Sequence, residues 1–398
     1  MVAAPSINRL DSADFSTFPA SHGRCRIDRL ILTDFRSYHD LEMRTAALPV
    51  VLYGENGAGK TNILEALSCL APGRGLRGAA HADLARHKGA GGWAVVAEMT
   101  TADGTHKVAS GQPANAAAGE RRQMRLNGER QGGAAAISSL LRLIWLTPAQ
   151  DRLFTESPGG RRRFLDRLIQ AFDPDHAARV SAYERAMRDR ARLLKEGGAD
   201  PTWLSALEAQ MAERAVAIAA ARLDGVARLA QAMTQGADHF PAAALSLDGA
   251  VEQALPGQAA IDVEDMCSAE LAARRNRDAE TGRTGFGPHT TDFGVTHLAK
   301  EMPAALCSTG EQKLLLCALV LAQARIVAQE TGTNPILLLD EVAAHLDQDR
   351  RAALFAGLGA LGVQCFVTGT DKTLFSSLQG AARFFRVSNS TLTLDESS

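Results

Sequence analysis

From about residue 25 to residue 147 the apolar positions fall in short runs cut by glycine and polar turns, which is the texture of strands. Arg26 to Phe35 and Leu48 to Tyr53 read as strands. The second leads at once into Gly54-Glu-Asn-Gly-Ala-Gly-Lys-Thr61 and then into a helical stretch carrying Ile63, Leu64, Ala66 and Leu67. Further strands are expected at Trp93 to Thr100, at Met124 to Arg130 around an Asn127-Gly128 turn, and at Leu141 to Leu146. From about residue 148 the period lengthens to that of helices. Asp173-Pro174 and Asp200-Pro201 each place a capping acid before a proline suited to the first helical position, so each is expected to start a helix. Val180, Tyr183, Met187, Ala191 and Leu194 form one apolar stripe and Leu204, Leu207, Met211, Ala215, Ile218, Val226, Leu229 and Met233 another, with Gly197-Gly198 between them. After Phe286 the alternation returns, with a helix over Glu311 to Gln329, a buried strand Ile336 to Leu339, a helix after Asp349, a strand Cys365 to Thr368 and a closing hairpin over Arg383 to Leu394.

These elements predict an α/β head with a mainly helical insertion. Residues 25–147 and 286–398 would form the head and residues 148–285 the insert, because a doubly wound sheet draws strands from both ends of the chain. Residues 1–24, rich in Ser, Ala and Pro without a period, read as a disordered extension or the mark of an upstream start.

Composition narrows the class. With 46% hydrophobic and 22% charged residues among 398, the chain has the make-up of a globular protein, and 43 basic against 45 acidic residues leave a net charge of −2. Any polyanion site must therefore be a local patch. The charge is uneven: Arg161 to Lys195 carries ten Lys/Arg against five acids, whereas Asp238 to Glu270 carries seven acids and no Lys or Arg. The longest apolar run, Leu314 to Ala322, is nine residues, short of the roughly 18–20 that span a bilayer, and no secretion signal is evident. A cytoplasmic protein without a membrane partner is expected. The six cysteines are widely spaced and read as reduced thiols.

Three motifs carry chemistry. Gly54 to Thr61 fits the P-loop, in which glycines turn backbone N–H groups onto phosphates, Lys60 reaches the β and γ phosphates, and Thr61 ligates Mg²⁺. Ile336-Leu-Leu-Leu-Asp340-Glu341 is a buried strand ending in two acids. Asp340 is suited to hold Mg²⁺ and Glu341 to polarise the attacking water, the alternative for Glu341 being a solvated strand-end acid. Ser308-Thr-Gly310-Glu-Gln312-Lys313 opens an apolar helix, and reads either as an anion site or as an N-cap.

Together with Glu341-Val-Ala-Ala-His-Leu-Asp347, these motifs resemble the ABC-type ATPase heads of the SMC and Rad50 class. Phe35-Arg-Ser-Tyr38, Ser157-Pro-Gly-Gly-Arg-Arg-Arg-Phe-Leu-Asp166, Gly287-Pro-His289 with Asp292, and Phe366-Val-Thr-Gly-Thr-Asp371 extend the resemblance to the RecF family, from about Arg26 to about Leu394. The resemblance implies an ATP-dependent homodimer with Mg²⁺. Each ATP would lie between Gly54, Asn56, Gly57, Gly59, Lys60, Thr61 and Asn62 of one subunit and Ser308, Gly310, Gln312 and Asp347 of the other. It further implies slow hydrolysis with Glu341 and Lys60 as catalytic groups, binding of double-stranded and gapped DNA, work with RecR and RecO, indirect loading of RecA, and a nucleoid-associated place in the cytoplasm. Where transporter subunits of this class carry a switch histidine, this chain has Thr368-Gly-Thr370-Asp371. A transporter ATPase and a scaffold that binds ATP without hydrolysing it are the alternatives. Arg121, Arg122, Arg125 and Arg130 around the Asn127-Gly128 turn, with Arg161, Arg162 and Arg163, are the candidates for DNA phosphates, or else solvated faces. His345 reads as a helix-end or interface residue. His289 either packs between head and insert or meets DNA.

Overall fold

The computed structural model describes residues 25–45, 49–71, 73–117, 120, 122–132, 135–197, 200–235 and 240–395. Residues 1–24, Leu48, Arg121 and Gly198, which figure in the expectations above, lie outside the described residues. The chain divides into two compact units, Met1–Pro148 with Val327–Ser398, and Ala149–Ile326.

The first unit combines strands from distant parts of the sequence. Its central sheet runs Thr391–Leu394, Arg383–Ser388, Pro49–Tyr53, Cys365–Gly369, Ile336–Leu339, Leu143–Leu146. It is parallel except where the first two strands form a hairpin. Val50, Val51, Leu52, Leu337, Leu338 and Val367 are fully buried, as unbroken aliphatic strands covered on both faces should be. The register pairs Tyr53 with Gly369 and Leu339 with Val367. Three neighbouring strands therefore bring their carboxyl ends to one edge, where open α/β sheets bind their ligands.

A second, antiparallel sheet in the order Tyr38–Arg44, Arg26–Phe35, Trp93–Thr101, Gly104–Gln112, Gln123–Leu126, Glu129–Arg130 completes this unit. Tyr38–Arg44 and Gly104–Gln112 escape the sequence pattern because their outward positions are polar and their runs contain few β-branched residues. Helix Lys60–Ser68 lies in the core shared by the two sheets. Ile63, Leu64, Ala66 and Leu67 are fully buried, packed with Leu30, Leu32 and Phe35 of one sheet and Val50, Leu52 and Leu338 of the other. The helix that follows the P-loop is thus fixed on all sides, and truncating Leu64 to Ala would cost about 2–5 kcal/mol.

The second unit is built on helices Pro158–Gln170, His176–Glu196 and Pro201–Thr234. The third starts as expected, Asp200 accepting from the Thr202 N–H at 2.8 Å with Pro201 in the first turn. The second starts later than Asp173-Pro174 suggested: His176 is its first residue, and the Asp173 carboxylate is taken by Arg179. Gly225 lies inside the long helix, where a Cβ would come within 2.6 Å of the Ile169 side chain, so its absence lets helix Pro158–Gln170 approach. The unit also holds a three-stranded sheet, Met302–Pro303, Asp292–His297, Ala243–Asp248, which the helical reading missed. Residues 286–326 group with 149–285, in part because Asp292–His297 pairs along its whole length with Ala243–Asp248.

Helix Thr309–Thr331 has 23 residues and is long and apolar enough to cross a membrane, a property the nine-residue run concealed. Of its most apolar window, 78% is buried inside the protein, as in a core helix. All six cysteines are free and buried, and burial pushes the thiols of Cys317 and Cys365 up to about 12.

Candidate nucleotide site

The loop between strand Pro49–Tyr53 and helix Lys60–Ser68 is shaped by its glycines. Gly54, Gly57 and Gly59 have φ of 150°, 79° and 112°, values that side chains resist. At Gly54 a Cβ would also lie 2.1 Å from the Val387 carbonyl oxygen, and at Gly59 2.6 Å from the Tyr38 hydroxyl. The Tyr38 hydroxyl donates to the Gly59 carbonyl at 3.2 Å, and the Ser390 N–H donates to the Ala58 carbonyl at 3.0 Å. Asn389 and Ser390, with φ of 47° and 58°, form the tight turn of the last hairpin and hold the outer side of the loop.

Lys60 is buried, with its ammonium donating to the carbonyls of Gly54 at 2.6 Å and Glu55 at 2.8 Å. Burial lowers its pKa, and the nearby Glu341 and Asp340 carboxylates push it back up. It spans the mouth of the loop, where the phosphates of a nucleotide would replace the carbonyls as acceptors.

The acids arrive on the neighbouring strand end. The Thr61 hydroxyl donates to Asp340 Oδ1 at 3.0 Å, and the Thr368 hydroxyl donates to the same oxygen at 2.7 Å. Asp340 is buried, and its backbone N–H donates to the Leu146 carbonyl at 2.8 Å. A threonine hydroxyl and a buried carboxylate converging on one point are hard oxygen donors of the kind Mg²⁺ takes beside a nucleotide, so the residues fit that ion. Glu341 follows with φ 52°, and its N–H donates to Thr368 Oγ1 at 2.9 Å. Thr368 therefore fixes both acids, a role its sequence did not reveal. The one available hint was its position in Thr368-Gly-Thr370-Asp371. Asp371 itself caps a turn, accepting from the Thr373 N–H at 2.7 Å. Asn62, at the first turn of the P-loop helix, donates from its amide to Ser37 Oγ at 2.9 Å and accepts from Arg77 at 3.2 Å. Arg36 makes a two-pronged ion pair with the buried Glu65 of the same helix.

The Ser308 motif lies in the second unit. Ser308 and Glu311 form a reciprocal capping box: the Ser308 N–H donates to Glu311 Oε2 at 3.1 Å, and the Glu311 N–H to Ser308 Oγ at 3.4 Å. The Lys300 ammonium 2.7 Å away and the Ser308 N–H hold the Glu311 carboxyl down at about 2, against the opposing effect of burial. Ser308 is exposed and Gly310 buried. Gln312 is buried and turned inward, its amide donating to the Cys307 carbonyl at 2.9 Å, while the buried Lys313 reaches Asp151 at 3.2 Å. Leu306, just before the motif, is 72% exposed. In the first unit, Asp347 caps helix Gln348–Leu361 by accepting from the Arg350 N–H at 2.8 Å. Its side chain is exposed, as is His345, which has φ 63°.

The candidate DNA arginines part into two groups. Arg122 donates to the Cys69 and Ala71 carbonyls at the end of the P-loop helix, Arg161 makes a two-pronged pair with Asp292 at 2.8 Å, and Arg162 donates to the Thr291 carbonyl at 2.6 Å. Arg125, Arg130 and Arg163 are exposed. His289 donates from Nε2 to the Thr284 carbonyl at 2.8 Å and meets the Tyr183 hydroxyl at 2.8 Å through Nδ1, and burial lowers its pKa. It is a strut of the second unit. Asp166, from the arginine-rich motif, receives Arg222 through both oxygens at 2.9 Å and His176 at 2.8 Å.

Residues 26–393 match the RecF/RecN/SMC N terminal domain family. The chain is 50% identical to the DNA replication and repair protein RecF of Mesorhizobium japonicum, over 92% of this chain and 97% of that one. It is 48% identical to the RecF of Rhizobium etli, over 91% and 97%. A solved structure of a recombination mediator RecF with an ATP analogue, in the RecFOR pathway, superposes with a TM-score of 0.80 at 22% identity, covering 94% of this chain and 99% of that one. An Smc head from Pyrococcus furiosus superposes with a TM-score of 0.51 at 15% identity, over 93% and 96%. The chain has the ABC-type head fold and belongs to the RecF family of DNA replication and repair proteins.

Proposed function

We propose that the protein is an ATP-driven DNA repair factor that dimerises on ATP, holds double-stranded DNA beside single-strand gaps, and lets go after slow hydrolysis. The observation that carries this reading is the convergence of Thr61, Asp340 and Thr368 within 3.0 Å at the mouth of the Gly54–Thr61 loop, with Glu341 next in line. Lys60 and the loop N–H groups bind the phosphates. Thr61 and Asp340 hold the Mg²⁺, which neutralises phosphate charge when bound. Glu341 orients and deprotonates the attacking water.

The exposed Ser308 and Asp347 face a second subunit in this reading, so a phosphate held by one protomer completes its contacts on the other. Gln312 acts behind them by fixing the Cys307 carbonyl. The head made by the first unit carries the nucleotide, the second unit carries the signature motif, and RecR and RecO join the DNA-bound dimer to promote RecA loading. The protein works in the cytoplasm on the nucleoid. Sedimentation of the wild type and Glu341→Gln with ATP and Mg²⁺ tests this: a stable nucleotide-dependent dimer of the variant is expected, and a variant that stays monomeric with ATP would overturn the shared site.

A further inference from the structure

The excess of basic residues between Arg161 and Lys195 is absorbed only in part by the contacts described above. Arg161 and Arg162 are bonded, and on helix His176–Glu196 Arg179 pairs with Asp173 while the fully buried Arg190 binds Glu208 at 2.9 Å and Asp278 at 2.7 Å. Arg185, Arg188, Arg192 and Lys195 of the same helix are all exposed. Their spacing of three, four and three places them on one strip, about 80° of the helix circumference at 3.6 residues per turn and about 15 Å long. Among the described residues, Arg188 and Arg192 have only stretched ion pairs, with the exposed Glu184 at 3.9 Å and the half-buried Asp189 at 3.5 Å, and Arg185 and Lys195 have none. Glu184, Asp189 and Glu196 border the strip instead of interrupting it.

Eight positions beyond Lys195 in the chain, in the first turn of helix Pro201–Thr234, Trp203 is 63% exposed, whereas Trp93 is 4% exposed. A helix face with four cations and no apolar seam has no reason to pack against protein core, and an exposed indole offers a flat aromatic face to solvent.

We infer that this strip is a track for the phosphate backbone of duplex DNA, and that Trp203 stacks on a base exposed where the duplex gives way to a single strand. The inference rests on the DNA-binding function proposed above and adds the face that performs it. Cations recurring about every 5 Å along a straight helix can follow a charged strand without reading its sequence. A tryptophan in the first turn after the track's helix supplies what a continuous duplex cannot use, because its bases are already stacked.

The test is fluorescence anisotropy with ATP and Mg²⁺, using a labelled continuous duplex and the same duplex with a single-strand gap, at several salt concentrations. Arg185→Glu/Arg188→Glu/Arg192→Glu should weaken duplex binding on the order of a hundredfold at low salt and make the slope of log affinity against log salt shallower by about three. Arg185→Lys/Arg188→Lys/Arg192→Lys should bind like the wild type. Should the reversal disturb folding, Arg185→Gln/Lys195→Gln should still make the slope shallower by about two. Trp203→Ala should keep duplex affinity and lose about tenfold in preference for the gapped duplex. A charge-reversed protein with wild-type affinity and slope would overturn the track and leave the strip to an acidic protein surface. A wild type that ignores DNA with ATP present would instead overturn the proposed function itself.

Discussion

The nucleotide site and the charged network of the second unit use the same residue types to opposite ends. Around the Gly54–Thr61 loop, Lys60 is held by two backbone carbonyls that a phosphate can replace, and Asp340 receives two hydroxyls that a metal can share. In the second unit Arg222 is closed off by both oxygens of Asp166, by Glu252 and by the Pro288 carbonyl, and Arg190 by Glu208, Asp278 and the Leu271 carbonyl. A charged motif residue is therefore chemical where its partners are exchangeable and architectural where they are carboxylates already saturated.

That contrast can be broken at either side. Lys60→Ala should give the largest effect, loss of nucleotide binding by more than about a hundredfold in calorimetric titration, since an ammonium in a phosphate cradle has no substitute. Glu341→Gln should retain ATP but slow phosphate release by about 10²–10⁴, the usual contribution of a general base. A full-rate Glu341→Gln would return Glu341 to the status of a solvated acid. On the architectural side, Arg222→Met should destabilise the fold by about 3–5 kcal/mol in denaturant titration because the buried Glu252 is left without a cation and Asp166 with His176 alone. If it instead unfolded normally and lost ATP turnover, the division between the two kinds of charge would fail.

Smaller changes sharpen the boundary. Thr368→Val should slow hydrolysis about tenfold while ATP binding falls less, because one hydroxyl positions both Asp340 and the Glu341 backbone. The smallest effect concerns Glu311, whose carboxyl titrates at about 2 in the fold against an ordinary 4.5. Its folded-state value is the lower one, so its stabilisation is complete above about pH 4.5 and is lost as the pH falls from there toward 2. Glu311→Gln should remove that component from the acid limb of a stability curve.

The P-loop was legible because its glycines and lysine sit at fixed spacing between a strand and a helix, and Asp340 because a buried strand that ends in acids has few other uses. Thr368 was hidden: its hydroxyl acts only because the sheet places Cys365–Gly369 between the P-loop strand and Ile336–Leu339, and pairing order is a tertiary fact. The same limit explains Arg122 and Arg161. From sequence they are cations in basic runs, and only the fold supplies the helix-end carbonyls and the Asp292 that occupy them. The weakly patterned strands Gly104–Gln112 and Ala243–Asp248 owe their conformation to neighbours in their sheets more than to their own residues.

The hold of the Asn389-Ser390 turn on the Ala58 carbonyl has a consequence for synthesis on the ribosome. Gly54 emerges early, but the groups that shape its loop, Asp340, Thr368, Val387 and Ser390, follow some 280 to 340 positions later. A nascent chain therefore has the phosphate loop as bare sequence for most of its translation. It gains its complete nucleotide site only when its last strands slot in beside Pro49–Tyr53, so an unfinished chain should not bind ATP.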